Sequence, residues 1–343
     1  KEELRRYADS DGKVKLFGYE QFEYLSSITR SELFHFPFLK KAFLELERRH
    51  EKAENRRNGT TLAYIVGPPI SHDAYNKMSL ADWENSFKKF NEHYEPPFSS
   101  HKGGLSENAN AFENEVAGRP YFFLPLIYKI MDGEEISRYY VIAGINGRLK
   151  VNEDPTEGAG FFKKIYKEHI YSSFKRQLIR MTGYLNQNDL IDQDLFDFLC
   201  DIALNDPDPA KVLNPNNQII DSFNNNRGMA VHEIVRCFRY KRFAEKIFST
   251  LFKVANDPMD SVRIASLIDL AVLMNVDKER TLQLFLRLIN NSQNVEMYES
   301  SIRAVQYLSD YNFEALQSYF REAMKFDKLQ KKVSIMLTVS WLK

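Results

Sequence analysis

From about residue 190 onward the chain repeats itself loosely. The stretches NNRGMAVHEIVRCF, MDSVRIASLIDLAVLM and YESSIRAVQYLSDY each set a polar or acidic turn before an arginine. Small and apolar residues at helical spacing follow. The arginines are Arg227, Arg263 and Arg303, and a partner segment follows each unit: FAEKIFSTLFKVAND, ERTLQLFLRLINN and FEALQSYFREAMKF. Periods of 36 and 40 residues match the helix-pair period of HEAT-like arrays. One such pair cannot bury its apolar face alone, so pairs stack. The expected fold is therefore all-α, an α-solenoid of stacked helix pairs over 151–343. An irregular helical region covers 1–150.

Bulk properties remove several function classes. Lys+Arg and Asp+Glu both number 47, so the formal charge is zero. A dedicated nucleic-acid binder ordinarily carries a basic excess. Two cysteines, Cys200 and Cys237, make neither a disulfide framework nor a thiolate zinc site, and they suit a reducing cytoplasm. No apolar run reaches membrane-span length, and KEELRRYADS has no signal-peptide core. The first residue is Lys1 and the last segment is the apolar VSIMLTVSWLK. From this we expect a piece of a longer polypeptide.

The first 57 residues have helical spacing, interrupted at Pro37. In KMSLADWENSFKKF, Ser79 and Asp82 stand as a capping box, and Met78 and Trp83 occupy the staple positions, which makes Trp83 a packing anchor. A long loop rich in Pro, Gly and Ser follows at 91–106. Pro120 opens a helix that Pro125 should kink or delay. EEISRYYVIAGINGRL is expected to be one helix closed by glycine. FFKKIYKEHIYSSFKRQLIRMTGYL is expected to be one long amphipathic helix.

The stretch NNNRGMAVHEIVRCF invites chemistry and mostly refuses it. Asn225 or Asn226 is a helix N-cap. Gly228 permits close approach of a neighbour, and Ala230, Ile234 and Cys237/Phe238 form a buried stripe. Arg227 should pair with carbonyls or an acid of the next repeat, and Arg263 and Arg303 hold the same place, as an arginine ladder. HEIVR lacks the second histidine of a zinc helix, and no phosphate-loop motif occurs. No catalytic group, metal or cofactor is expected. Cys237 lies between Arg236 and Arg239 but on the apolar face. The cluster RCFRYKRFAEK holds Arg236, Arg239, Tyr240 and Arg242, the best candidates for contacting a charged partner. Its bland alternative is a solvated helix end whose cations favour the terminal dipole.

Three segments, read in order, resemble a known family. They are ISHDAYNKMSLADWENSFKKFNE, then KGGL with FENEVAGRPYFFLPL, then FNNNRGMAVHEIVRCF. Together they are similar to the helical-repeat region of very large bacterial STAND NTPases of antiphage defence, the Avs type. The matching positions are Met78, Ser79, Asp82 and Trp83; Gly103 and Gly104; Arg119 and Pro120; and Asn224, Arg227, Gly228 and Ala230. The resemblance covers roughly 60–240, and Pro125 departs from it. It implies a cytoplasmic sensor that recognises a phage protein, with NTPase and effector upstream and oligomerisation on activation. The other reading is a stand-alone helical scaffold for a host protein or nucleic acid. Loop composition adds Tyr94, Phe98 and His101 as expected contact residues, with exposed residues of the concave face.

Overall fold

A computed structural model describes residues 25, 34–54, 67–96, 102–133, 135–151, 155–212, 217–290 and 292–342. They fall into two compact units, Lys1–Ile65 and Val66–Lys343. The first holds one described helix, α1 (Pro37–Glu54). Pro37 opens this helix instead of interrupting one, because a proline needs no amide partner in the first turn. Phe43 is buried there beneath Leu25, Phe34, Leu39 and Leu46.

The second unit is a stack of helices. It begins with α2 (His72–Tyr75), α3 (Leu80–Lys89), α4 (Leu105–Gly118), α5 (Pro120–Asp132), α6 (Arg138–Leu149) and α7 (Pro155–Ile165). It continues with α8 (Lys175–Gln187), α9 (Gln193–Asn205), α10 (Gln218–Ser222), α11 (Asn226–Arg236), α12 (Ala244–Val254) and α13 (Asp260–Asp269). It closes with α14 (Lys278–Ile289), α15 (Val295–Asn312), α16 (Gln317–Ala323) and α17 (Asp327–Leu342). The described residues contain no strand, only an isolated bridge between Gly67 and Lys102. The architecture is an all-α, solenoid-like stack.

Two rows build it. Helices α4, α6, α8, α11, α13, α15 and α17 contact one another in succession. On the other side α3 meets α5, and α9 meets α12, which meets α14. One continuous core links the unit, from Tyr75 to Met336. Close crossing needs glycine in two places. A Cβ on Gly147 of α6 would lie 2.5 Å from the Glu113 carbonyl of α4. One on Gly228 would lie 2.3 Å from the Ser222 carbonyl.

Local rules explain many helix ends. Ser79 Oγ accepts the Asp82 amide at 3.2 Å, and Asp82 accepts the Ser79 amide at 3.0 Å, which completes the capping box. Trp83 is fully buried, stacked on Tyr75 at 4.9 Å and packed against Phe87, Phe112 and Phe123. Asn225, and not Asn226, caps α11 by accepting the Gly228 amide at 2.7 Å.

Other expectations are corrected. The segment 161–185 is not one helix: α7 stops at Ile165, and a 3-10 turn, His169–Phe174, precedes α8. Tyr171 and Phe174 are both buried, and a three-residue repeat puts them on one side. Helix α6 starts at Arg138, after Ser137 accepts the Tyr139 amide, and continues through Gly147 to Leu149. Helix α5 starts at Pro120 and contains Pro125 on its exposed side. That proline leaves the Tyr121 carbonyl without its amide four residues on.

Candidate recognition surfaces

The joints between repeats are tied by polar clamps, and the predicted arginines divide among them. Arg227 donates to the Pro209 carbonyl at 3.1 Å and pairs at 3.3 Å with Asp257, at the end of its own unit's partner segment and not in the next repeat. Arg263 instead folds back on Asp260 of its own first turn, whose other oxygen accepts Asn294 at 2.8 Å. Arg303 is exposed on α15. The three therefore do not share one geometry.

The recurring unit is a different one, Asn-Asp-Pro at 205–207 and again at 256–258. Asp206 accepts the Asp208 amide at 2.9 Å, and Asp257 accepts the Met259 amide at 2.8 Å. Each aspartate then takes a cation from the start of the preceding inner helix, Lys175 at 2.6 Å and Arg227 at 3.3 Å. The electrostatics diverge. Burial pushes Asp206 up, but Lys175 and the Asp208 amide together bring it below the usual carboxylate range. At Asp257 burial prevails and the carboxyl sits above that range.

The basic cluster is consumed internally. Arg242 donates to the Ile191 carbonyl at 2.5 Å and lies over the rings of Tyr240 and Phe243. The Tyr240 hydroxyl donates to the Asn186 carbonyl at 3.3 Å. Arg239 pairs with Asp189 at 3.7 Å, and Lys246 with Asp197 at 2.5 Å. Arg236 pairs with Glu233 at 2.9 Å and approaches Asp269 at 3.8 Å. The cluster clamps the α8–α9 turn and the α13 end, in place of the free helix end that the dipole reading pictured. Arg236, Arg239 and Lys246 are thus paired with acids of this chain.

Tyr94 is half-buried, edge-on to Phe90 at 4.8 Å. Phe98 and His101 lie outside the described residues.

One trio has the order of a nucleophile relay. His232 Nε2 is 3.4 Å from Ser222 Oγ, and its Nδ1 is 3.5 Å from Asp269. Ser222 is fully buried, however, and donates to the Ile219 carbonyl at 2.6 Å. The Phe223 ring stacks on the imidazole at 4.2 Å. The trio fastens α10 to α11 and α13 and leaves no room for a substrate. Asp269 is held below its usual range, chiefly by the His232 contact and further by Arg236. Burial pushes the Glu233 carboxyl up. Both thiols are buried, and burial pushes Cys237 up to about 12. Among the described residues no group of His, Cys, Asp and Glu is placed to hold a metal ion. None of their helices is long and apolar enough to cross a membrane.

Two surface features remain. Helix α5 buries Phe123, Leu126, Ile127 and Ile130, yet its opposite side shows Tyr121, Phe122 and Tyr128, exposed by 60%, 41% and 45%. Cations lie over all three rings: Arg148 over Tyr121 at 5.2 Å, Arg119 over Phe122 at 5.0 Å and Lys164 over Tyr128 at 5.7 Å. The second feature is a cleft of about 630 Å³ between the end of α14 and the outer face of α16.

No protein-family model, curated protein or solved structure matches this chain.

Neither feature was among the residues that the sequence singled out. The α5 row did leave a signal: Tyr121, Pro125 and Tyr128 fall four and seven residues along one face, opposite the core stripe. A helix apolar on both sides needs a second cover. The cleft left no such signal, because it depends on how far α16 stands from α14.

Proposed function

We propose that this chain is a protein-recognition solenoid. Through the resemblance carried by Met78, Ser79, Trp83, Arg119 and Gly228, we assign it as the sensor region of an Avs-type STAND NTPase. Its ligand is a phage protein, bound in the cytoplasm. The NTPase and effector lie upstream and respond by oligomerising. The observation that carries the recognition reading is the aromatic row of α5, with a cation over each ring. Exposed Tyr and Phe interleaved with Arg are the composition of protein–protein contact centres. A nucleic-acid partner is disfavoured, since the densest basic cluster already pairs with Asp189, Asp197, Asp269 and Glu233.

The test is capture from lysates of phage-infected and uninfected bacteria. One virion protein retained only from infected cells, and lost with Tyr121→Ala combined with Tyr128→Ala, supports the sensor. The same host protein retained from both lysates replaces it with a scaffold. Undiminished capture by the double variant removes α5 as the contact face.

A further inference from the structure

We propose that α10 is a strap that locks α11, α13 and α15 into one block, so that these three helices open and bend together and not joint by joint. The inference goes beyond the recognition reading and does not rest on it. A stack of helix pairs is ordinarily held by nearest-neighbour contacts alone, so each joint yields separately. Here α13 stands between α11 and α15, yet α10 packs against all three.

Five residues are too few to hold a helix on their own. The order of α10 comes from what it lies on, chiefly α13 and beyond it the start of α15. Gln218 and Ser222 are buried, and Ile219 packs against the common core. The tie to α15 spans 77 positions of sequence: the Ile219 amide donates to Glu296 Oε2 at 2.8 Å. Glu296 is buried, in the first turn of α15. A carboxylate that accepts a backbone amide makes one of the stronger hydrogen bonds of a protein. The tie to α13 runs from Asn225 Nδ2 to Ser261 Oγ at 3.4 Å, and both side chains are buried. The tie to α11 is double. Asn225 caps that helix, and the Ser222 hydroxyl meets His232 Nε2 at 3.4 Å. The segment from Gln218 to Asn225 thus crosses the first turns of α11, α13 and α15. Opening one of these joints lifts α10 and breaks its ties to the other two. A partner that alters the curvature of the stack must therefore act on either side of this block.

Native-state hydrogen exchange of the full chain, read by mass spectrometry at low urea, tests the strap. In the wild type the α10 amides should be protected, and peptides from α11, α13 and α15 should share one opening free energy and one urea slope. Glu296→Ala removes the acceptor. It should speed exchange of the α10 amides at least about tenfold and let α15 open at lower urea than α11. Glu296→Gln keeps an acceptor oxygen for the Ile219 amide and should retain the shared opening. A role of Glu296 confined to the head of α15 would not reach α10, so unchanged α10 exchange in Glu296→Ala overturns the proposal. A common opening of α11 and α15 that survives Glu296→Ala overturns it as well. Two further results do so without any variant: wild-type α10 amides exchanging at the rate of an unstructured chain, or α11 and α15 opening separately in the wild type.

Discussion

Asn225 is where a legible rule and an illegible one meet in one side chain. Its Oδ1 accepts the Gly228 amide at 2.7 Å, while its Nδ2 donates to the Asp221 carbonyl at 2.5 Å and to Ser261 Oγ at 3.4 Å. The residue is fully buried. Asn225→Ala removes the cap, worth about 1 kcal/mol. It also removes the buried hydrogen bond to Asp221, worth about 1 kcal/mol net. The expected loss is about 2 kcal/mol, a shift of roughly 0.7 M in the urea midpoint for a slope near 3 kcal/mol/M. Asn225→Asp separates the two roles. The cap acceptor survives, but an acceptor now faces the Asp221 carbonyl, and a charge is buried without a cation beside it. At pH 7 this variant should be less stable than Asn225→Ala. The new carboxyl has a raised folded pKa, so its protonated form, which can donate to Asp221, stabilises the fold as pH falls, and that gain is lost as pH rises. Urea titrations followed at 222 nm between pH 4 and 7 decide the matter. A cost below about 0.5 kcal/mol for Asn225→Ala, or a pH-independent deficit for Asn225→Asp, refutes the reasoning.

The two Asn-Asp-Pro turns should respond oppositely to acid. Asp206 has a lowered pKa, so its contribution is present above the unfolded carboxylate value and is lost as pH falls through the folded one. The penalty of Asp206→Asn in urea melts should therefore shrink toward pH 3. Asp257 has a raised pKa, so its contribution grows as pH falls and is lost as pH rises, and Asp257→Asn should show the reverse trend. Cys200 and Cys237 should be inert to an aromatic disulfide reagent at pH 8 until denaturant is added, since burial raises both thiols. Rapid modification of the native chain contradicts that. Tyr75→Phe should cost about 1–2 kcal/mol by leaving Asn108 Oδ1, at 2.6 Å from the Tyr75 hydroxyl, without its donor. Tyr128→Phe loses only an exposed contact to Glu157, and its melt should match the wild type within about 0.5 kcal/mol.

Features governed by neighbours in sequence were readable in advance. The Ser79–Asp82 box, the Asn225 cap and the helix pairs from Asn226 onward depend on spacings of three and four residues. Gly228 was readable as a close approach, though its neighbour is the Ser222 carbonyl of the short α10. What failed depended on distant partners. The break before α8 follows from Tyr171 and Phe174 both turning inward, a preference of the core and not of the segment. The basic cluster looked free because Asp189, Asp197 and the Ile191 carbonyl stand some fifty residues earlier. The repeated Asn-Asp-Pro turn was printed in the sequence and would have identified Lys175 and Arg227 as equivalent. The arginine pattern obscured it by placing Arg263 and Arg303 in the same role.

Of the residues that most resemble chemistry in the sequence, His232 and Cys237 are buried, and Arg242, though exposed, is tied to the Ile191 carbonyl. These internal ties account for them, so they carry no argument for a partner. The α5 row is the opposite case. A helix in a two-row stack needs one apolar face, and α5 already has it in Phe123, Leu126, Ile127 and Ile130. Phe122 and Tyr128 lean edge-on against buried Phe123 and Phe161, and all three rings still stay partly open to solvent. Covering an aromatic side chain fully is worth about 1.5–3 kcal/mol, and these three, Tyr121, Phe122 and Tyr128, hold roughly half of that in reserve. Only a second surface can release it.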